Sequence, residues 1–270
     1  MREPVVKRAL PLVDSHCHID FPELAKNLSG VLDRMRENGV GLAVCAGVSI
    51  EGFPKILELV QENPQLLATV GVHPEHTEGI DPTQAELVEL AQAPEVIAIG
   101  ETGLDYYWHK DQPEWQRDRF RTHIRAACEC DKPLVVHNRD ATQDVLRLLR
   151  EEGAEAVGGI MHCFTESWEV AQEALAMGFY ISISGIVTFK NALQVKDVAR
   201  RVPLERLLLE TDSPYLAPMP YRGKLNQPGY VRHVAEEVAR LRGMALDELI
   251  RASTENFLRL FPYSSTRLFQ

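Results

Sequence analysis

The stretch Leu12-Val-Asp-Ser-His-Cys-His18 decides the interpretation of this chain, because it joins a short apolar run to a His-x-His pair. A short run of this kind is typical of a strand buried on both faces. Seven further runs rich in Val, Ile and Leu follow it, at 41–48, 66–74, 96–105, 134–139, 159–164, 179–187 and 207–215. Eight strands that alternate with helices over about 250 residues predict an α/β fold, a TIM (β/α)8 barrel in a single domain.

Amphipathic stretches with helical spacing separate these runs. The predicted helices include 54–61, 83–91, 114–131, 141–152, 168–177 and 191–201. We expect Asp81-Pro82 to begin one helix and Gly178 to end another. A doubly wound open sheet is the alternative, but no GxGxxG or GxxxxGK[ST] loop supports it.

The composition is that of an ordinary globular domain, and no linker marks a second one. We therefore expect the barrel to span residues 11–262, with flexible ends at residues 1–10 and 263–270. Five cysteines at irregular spacing argue against a disulfide framework. No apolar run approaches the roughly 18 residues of a membrane span, and the first residues lack the apolar core of a signal peptide. We expect a cytoplasmic protein with no membrane association.

The net charge of −10 weighs against tight, nonspecific binding to nucleic acid. It leaves room for a nucleic acid substrate that is bound weakly, through a few local cations and metal ions.

Histidines and acidic residues follow the predicted strands at their carboxyl ends, where barrel enzymes carry their active sites. His16 and His18 share one face of a strand, because side chains alternate. Imidazole with carboxylate suits Zn, Mn, Fe or Ni better than Mg. The candidate ligands are His16, His18, Glu101, His137, His162 and Asp212. Six ligands exceed the needs of one catalytic ion and suit two ions about 3.5–4 Å apart, with Glu101 as the natural bridge.

The chain is identified from its motifs as a member of the TatD family of metal-dependent hydrolases, and it most closely resembles the YcfH-like branch. The matching segments are Val13-Asp-Ser-His-Cys-His18, Gly71-Val-His-Pro74, Ile99-Gly-Glu-Thr-Gly-Leu-Asp-Tyr-Tyr107, Lys132-Pro-Leu-Val-Val-His-Asn-Arg-Asp-Ala141, Met161-His-Cys-Phe164, the segment 179–189, Leu209-Glu-Thr-Asp-Ser-Pro-Tyr-Leu-Ala-Pro218 and Arg222-Gly-Lys-Leu-Asn-Gln-Pro228. The resemblance implies a barrel with a binuclear site. Asn138 departs from the small polar residue that relatives often carry there, which affects substrate detail and not the metals.

The same resemblance implies a division of the ligands between the ions. One ion takes His16, His18 and Asp212, the other takes His137 and His162, and Glu101 bridges them. It also implies deoxyribonuclease activity, with 3′-exonuclease action in some members and D-aminoacyl-tRNA deacylation in others.

Four further residues are candidate substrate contacts. The order of the strands around the barrel places His73 beside the site, where it could contact the substrate. The alternative is that His73 only closes the loop after the third strand. Arg139 follows a ligand and suits a phosphate, with a surface ion pair as the alternative. Arg222 and Lys224 lie in the long loop after the eighth strand, where barrels commonly bind phosphate.

Three groups near the ligands have weaker predicted roles. Glu210 is a candidate for contacting the metal ligands on their side away from the metal, or it is the partner in a buried ion pair. Tyr106 and Tyr107 are expected to pack rather than to stack a base. Cys17 and Cys163 should point away from the site, so neither is expected to act as a nucleophile.

The function that we predict is hydrolysis of phosphodiester bonds by two divalent cations per subunit, from among Zn, Mn and Mg. Glu101 and Asp212 are the predicted catalytic residues, with Asp212 as general base. The expected substrate is DNA, at single-stranded ends, and no obligate protein partner is expected. The alternatives are an amidohydrolase-like enzyme for a small amide or ester, a D-aminoacyl-tRNA deacylase and a non-catalytic metal-binding scaffold. Amidohydrolases often bridge their metals with a carboxylated lysine on strand 4, so Glu101 favours the TatD interpretation.

Overall fold

Eight parallel strands form one sheet in chain order, in a computed structural model that describes residues 10–111 and 113–268. The strands are β1 (Leu12–Cys17), β2 (Val40–Cys45), β3 (Leu66–Val70), β4 (Val96–Asp105), β5 (Leu134–Arg139), β6 (Gly159–Met161), β7 (Phe179–Ile183) and β8 (Leu207–Leu209). The helices are α1 (Pro22–Ala25), α2 (Leu28–Glu37), α3 (Phe53–Glu62), α4 (Gln84–Leu90), α5 (Glu114–Cys130), α6 (Thr142–Glu151), α7 (Trp168–Ala176), α8 (Leu193–Arg201), α9 (Val231–Arg242), α10 (Leu246–Leu260) and α11 (Ser265–Leu268). The prediction of a TIM barrel is confirmed.

The strand ends differ from the predicted ones at three functional positions. β4 and β5 have the expected bounds, but β3, β6 and β8 end earlier than predicted. His73, His162 and Asp212 therefore lie in the loops that follow these strands. The apolar pattern continued past β3 and β6 because loop residues at this end of the barrel, such as Val72 and Phe164, are themselves buried.

The segment after β8 completes the ring. The backbone of Ser213 forms a parallel bridge with that of Cys17, and the Asp212 amide donates to the carbonyl of His16 at 3.0 Å. The Thr211 amide and hydroxyl both donate to the buried Asp14 carboxylate, at 2.8 Å and 2.6 Å. This closure holds Asp212 against His16, although the two residues lie near opposite ends of the sequence that forms the barrel.

The apolar residues form two clusters, one inside the barrel and one between the sheet and the helices. Phe257 of α10 and Phe261, just after it, pack against the inner cluster. Thr254 and Asn256 donate to backbone carbonyls at the amino ends of β1 and β8, so α10 covers that end. Truncating Phe257 to alanine should cost about 3–5 kcal/mol of unfolding free energy. With its amino end closed, the barrel leaves its carboxyl end for the functional residues.

Two predicted helix limits had different outcomes. The prediction that Asp81-Pro82 begins a helix is wrong, because Thr83 is the N-cap and forms a reciprocal capping box with Glu86. Asp81 instead pairs with Arg119 of α5. Gly178 follows α7 with φ of 84°, as expected for a residue that ends a helix in the left-handed region.

The predicted flexible ends fall partly outside the described residues, which exclude 1–9 and 269–270. The expectation of a loose end from residue 263 is wrong over 263–268, which forms a 3-10 turn and α11, with Arg267 2.8 Å from Glu95. All five cysteines are free. Within the ranges that the structure covers, no helix has the length and apolar character needed to cross a membrane.

Candidate metal centre

The six predicted ligands meet at the carboxyl end of the barrel. β1 ends beside His16 and His18, β4 carries Glu101 and β5 carries His137. The remaining two, His162 and Asp212, lie in the loops that follow β6 and β8. The His-x-His pair shares one face as predicted, with its two Nε2 atoms 3.4 Å apart.

One set of four donor atoms, called here the first donor group, surrounds Glu101 Oε2. It consists of that oxygen, Asp212 Oδ1 and the Nε2 atoms of His16 and His18. Glu101 Oε2 is 3.2 Å and 3.6 Å from the two imidazoles, and Asp212 Oδ1 is 3.7 Å and 3.5 Å from them. Ligands about 2.1 Å from a tetrahedral ion lie about 3.4 Å apart, so this group fits one cation. Glu101 Oε2 is buried and accepts no hydrogen bond from the described residues.

The second donor group surrounds the other oxygen of the same carboxylate. Glu101 Oε1 is 2.9 Å from His162 Nε2, 3.1 Å from His137 Nδ1 and 3.2 Å from His73 Nε2. His73 and His137 are 3.3 Å apart at these atoms. These spacings fit a second cation, and each oxygen of Glu101 serves a different group, as a bridging carboxylate does. The presence of His73 among the donors was not anticipated from the sequence.

The two carboxylates of the centre and His16 have protonation states that suit metal ligands. Burial opposes ionisation of His18, His137 and His162 as well, but the neighbouring carboxylates raise the pKa of these three imidazoles, so a cation would displace their protons. Burial alone would raise the pKa of Glu101, but His162, His73 and His16 hold it well below the ordinary value. Burial likewise opposes ionisation of Asp212, and the hydrogen bond from His18 with nearby imidazoles lowers its pKa. Burial lowers the pKa of His16, which favours the neutral imidazole. The two carboxylates are therefore anionic donors.

Buried carboxylates lie behind the ligands. Glu210 accepts the Cys163 amide at 2.7 Å and lies 3.4 Å from His162 Nδ1, which agrees with its predicted role behind the ligands. Asp105, which the sequence analysis did not weigh, lies 3.0 Å from His137 Nε2. Its signal was available, because Asp105 ends a predicted strand and shares a face with Glu101 by the two-residue period.

Glu75 was also missed, since nothing in its local sequence distinguishes it. It lies in the loop after β3, next to Asp105. Burial and then the Asp105 carboxylate raise the pKa of Glu75 to about 7. Burial opposes ionisation of Asp105, but hydrogen bonds from His137, Glu75 and the Trp108 amide bring its pKa to about 2. The first proton that this pair binds therefore goes to Glu75 rather than to Asp105.

A cavity of about 860 Å³ opens above the donors. Beyond the ligands, its walls include Phe21, Trp108, Arg139 and Tyr215. The side chains of Trp108 and Tyr215 are 61% and 55% exposed, so aromatic surface is available to a ligand at the mouth. The Arg139 guanidinium lies 3.9 Å from the centre of the Tyr107 ring.

The four predicted substrate contacts divide into two pairs. His73 and Arg139 line the cavity, whereas Arg222 and Lys224 are not among its lining residues. Arg222 lies over the Phe189 ring at 4.4 Å, and Lys224 is 5.9 Å from the ring centre of its neighbour Tyr221. Only a ligand longer than the cavity could reach this second pair.

The remaining predictions concern Tyr106 and two cysteines, of which Cys163 is among the residues that line the cavity instead of lying away from it. Tyr106 is buried and donates to Asp144 at 2.6 Å, so it packs as expected. The thiol of Cys17 donates to the carbonyl of Val44, and the thiol of Cys163 lies 3.3 Å from Ser184 Oγ. Burial raises the pKa of both thiols, which leaves them protonated and unreactive.

Clustered imidazoles and carboxylates at the carboxyl end of a (β/α)8 barrel define a class, the metal-dependent barrel hydrolases. Comparison with known sequences then places the chain within that class. The sequence model of the family described as TatD related DNase matches residues 13–262. The chain belongs to this family, and it is a metal-dependent hydrolase.

Relatives and solved structures agree with this assignment. The uncharacterized metal-dependent hydrolase YcfH of Escherichia coli K12 is 47% identical over 95% of this chain and 98% of its own length. The 3′-5′ ssDNA/RNA exonuclease TatD of Escherichia fergusonii is 31% identical over 94% of this chain and 100% of its own. The crystal structure of YjjV, a TatD homologue from E. coli K12, superposes with a TM-score of 0.85 at 28% identity, covering 93% of this chain and 98% of its own.

Proposed function

We propose that this protein hydrolyses phosphodiester bonds of DNA, acting from single-stranded 3′ ends with two divalent cations per subunit. The observation that carries the proposal is the placement of Glu101, whose two oxygens face separate donor groups on the floor of an open cavity. Two cations held in this way activate water and neutralise the charge that develops in phosphodiester hydrolysis.

The residues of the two donor groups have distinct roles in this proposal. His16, His18 and Asp212 would hold one cation, His137 and His162 would hold the other, and Glu101 would contribute one oxygen to each donor group. Asp212 lines the cavity and is the more exposed of the two carboxylate ligands, with a side chain 16% exposed against 2% for Glu101. Its carboxylate is therefore placed to accept the proton of the attacking water as general base.

Substrate recognition combines one wall of the cavity with the loop beyond it. Arg139 pairs with a phosphate beside the donors, where His73 also faces the cavity. Arg222 and Lys224 contact a phosphate of a longer substrate. The net charge of −10 opposes DNA over most of the surface, so binding is weak and rests on these few cations.

The relatives support the class of reaction more than the identity of the substrate. The name of the E. fergusonii relative specifies single-stranded nucleic acid and a 3′-5′ direction. That direction comes to this chain as part of the proposal, on the strength of the shared family.

The test is cleavage of a 5′-labelled single-stranded oligonucleotide by the protein loaded with Mn²⁺. We expect a ladder that shortens from the 3′ end, slower cleavage of the same sequence in a duplex, and no cleavage by Asp212→Asn. The control is Asp144→Asn, which changes a carboxylate outside both donor groups.

An intact oligonucleotide with two Mn²⁺ bound would contradict the proposal. Parallel assays on D-aminoacyl-tRNA and on small amides then decide between the two remaining hydrolase functions.

A further inference from the structure

Asp105 is a buried carboxylate fixed from several sides. Its Oδ1 accepts the Trp108 amide at 3.1 Å, and its Oδ2 lies 3.0 Å from His137 Nε2. The buried side chain of Gln116 accepts from the Asp105 amide at 3.1 Å and donates to the carbonyls of Pro74 and Asp105 at 3.0 Å and 3.3 Å. Gln116 thereby ties the end of β4 to the loop after β3, so the carboxylate has little freedom to move.

The contact with His137 determines which ring nitrogen is free. A neutral imidazole has one N–H and one lone pair, and an ionised carboxylate can only accept hydrogen bonds. Both ring nitrogens of His137 face a carboxylate, Nε2 that of Asp105 and Nδ1 that of Glu101. A cation in the second donor group would need the lone pair of Nδ1, so the single hydrogen of the neutral ring would lie on Nε2, towards Asp105. His137 Nδ1 is the atom 3.1 Å from Glu101 Oε1, in the second donor group.

We propose that Asp105 is a positioning residue that fixes the Nε2–H tautomer of His137 and directs its Nδ1 to the second cation. The inference rests on the proposed function for the existence of that cation, but not for the identity of the substrate. Carboxylates that orient a ligating imidazole also raise its basicity.

His137 depends on such support more than the other histidine ligands do. The remote Nδ1 atoms of His16 and His18 have no hydrogen-bond partner among the described residues, and that of His162 lies 3.4 Å from Glu210. These three rings are only 1%, 7% and 3% exposed, whereas that of His137 is 16% exposed. Packing holds the rings of His16 and His18, and Glu210 supports that of His162 from behind. The more exposed ring of His137 is held by its hydrogen bond to Asp105.

A rival interpretation is a third cation held by Glu75, Asp105 and His137, whose donor atoms lie within 4.8 Å of one another. It would need the lone pair of Nε2 while Nδ1 serves the second cation. A neutral ring cannot supply both. The geometry therefore favours positioning, and a third cation becomes an outcome of the test.

The first experiment measures Mn²⁺ binding to the metal-free protein by titration calorimetry, without any substrate. We expect two Mn²⁺ sites in the parent. In Asp105→Ala, one of the two sites should lose affinity 10- to 100-fold, which is about the effect of removing a carboxylate that supports a ligating histidine. Asp105→Asn keeps an acceptor oxygen without the charge and should fall between the two. Asp144→Asn, which removes a charge beside neighbouring Tyr106 and outside both donor groups, should bind as the parent does.

The second experiment asks whether the effect passes through His137. In a His137→Ala background, Asp105→Ala should cause no further loss of affinity. In Zn²⁺-loaded protein with ¹⁵N-labelled histidine, the His137 resonances should show a hydrogen on Nε2 and coordination through Nδ1.

Three results would overturn the inference. These are equal losses with and without His137, a hydrogen on Nδ1, or a third Mn²⁺ in the parent that Asp105→Ala alone abolishes. If Asp105→Ala does not fold, as judged by circular dichroism, the isosteric Asp105→Asn takes its place in every comparison. Two bound cations without DNA cleavage would refute the proposed function and leave the role of Asp105 standing.

Discussion

Replacing Glu101 by glutamine tests the bridge between the two donor groups. Glutamine has nearly the same shape, but it offers one carbonyl oxygen, and its amide nitrogen has no lone pair for a cation. The first donor group would keep an anion in Asp212, whereas the second would keep only imidazoles. The second cation should therefore be lost first.

The expected size of the effect follows from the loss of a cation that the reaction needs. We expect kcat to fall roughly 100-fold or more, equivalent to about 2.7 kcal/mol at 1.36 kcal/mol for each factor of ten. The metal content should fall from two cations per chain towards one. Because Glu101 is 1% exposed and the substitution conserves volume, the fold should persist.

The assay combines turnover of bis-p-nitrophenyl phosphate with metal analysis after dialysis against Mn²⁺. Glu95→Gln is the matched control, because Glu95 is also buried but lies at the other end of β4, beside Arg267. A near-parental kcat with two cations still bound would refute the bridging role of Glu101.

Three further predictions concern the cations, the loop after β8 and acid stability. Chelation by EDTA should abolish hydrolysis, and Mn²⁺, Mg²⁺ or Zn²⁺ should restore it; full activity of metal-free protein would contradict the two-cation proposal. Replacing Arg222 and Lys224 by alanine should raise KM for an oligonucleotide and reduce the salt dependence of that KM. The kinetics with bis-p-nitrophenyl phosphate should not change, because these residues lie outside the cavity. Equal effects on both substrates, in steady-state kinetics at two salt concentrations, would show that the loop does not bind DNA. Burial lowers the pKa of His123 from 6.5 to about 4, so the unfolded chain binds more protons at this residue in this range. His123 should therefore contribute a fall of about 3 kcal/mol in the free energy of unfolding from pH 6.5 to 4. Urea unfolding should show a smaller fall in His123→Gln, and an unchanged pH dependence would contradict this.

Much of the fold and the ligand set could be predicted from local sequence. Strands buried on both faces produce short apolar runs wherever they occur, so β4 and β5 were predicted with their observed bounds. The His16-x-His18 pair shares a face through the two-residue period of the strand alone. Chemistry and period thus identified candidate ligands without any knowledge of distances.

The limits of strands and helices were less predictable where residues are buried without forming the hydrogen bonds of a regular strand or helix. Glu210, Thr211 and Ser213 directly after β8 are buried although they belong to no strand, so burial continues past the end of the regular ladder. The helix beginning near Asp81 was misplaced because Thr83 and Glu86 satisfy the backbone donors of α4 better than an aspartate followed by proline.

The sequence by itself determined the number of strands, the residue types at their carboxyl ends and the chemistry of a cation site. Tertiary structure alone decided how these residues combine. It brought His73 into the second donor group, placed Asp105 behind His137, and left Arg222 and Lys224 outside the cavity. The physical reason is that periodicity reports which face a side chain occupies, whereas contacts between loops of different strands depend on how the barrel closes and on how each side chain packs.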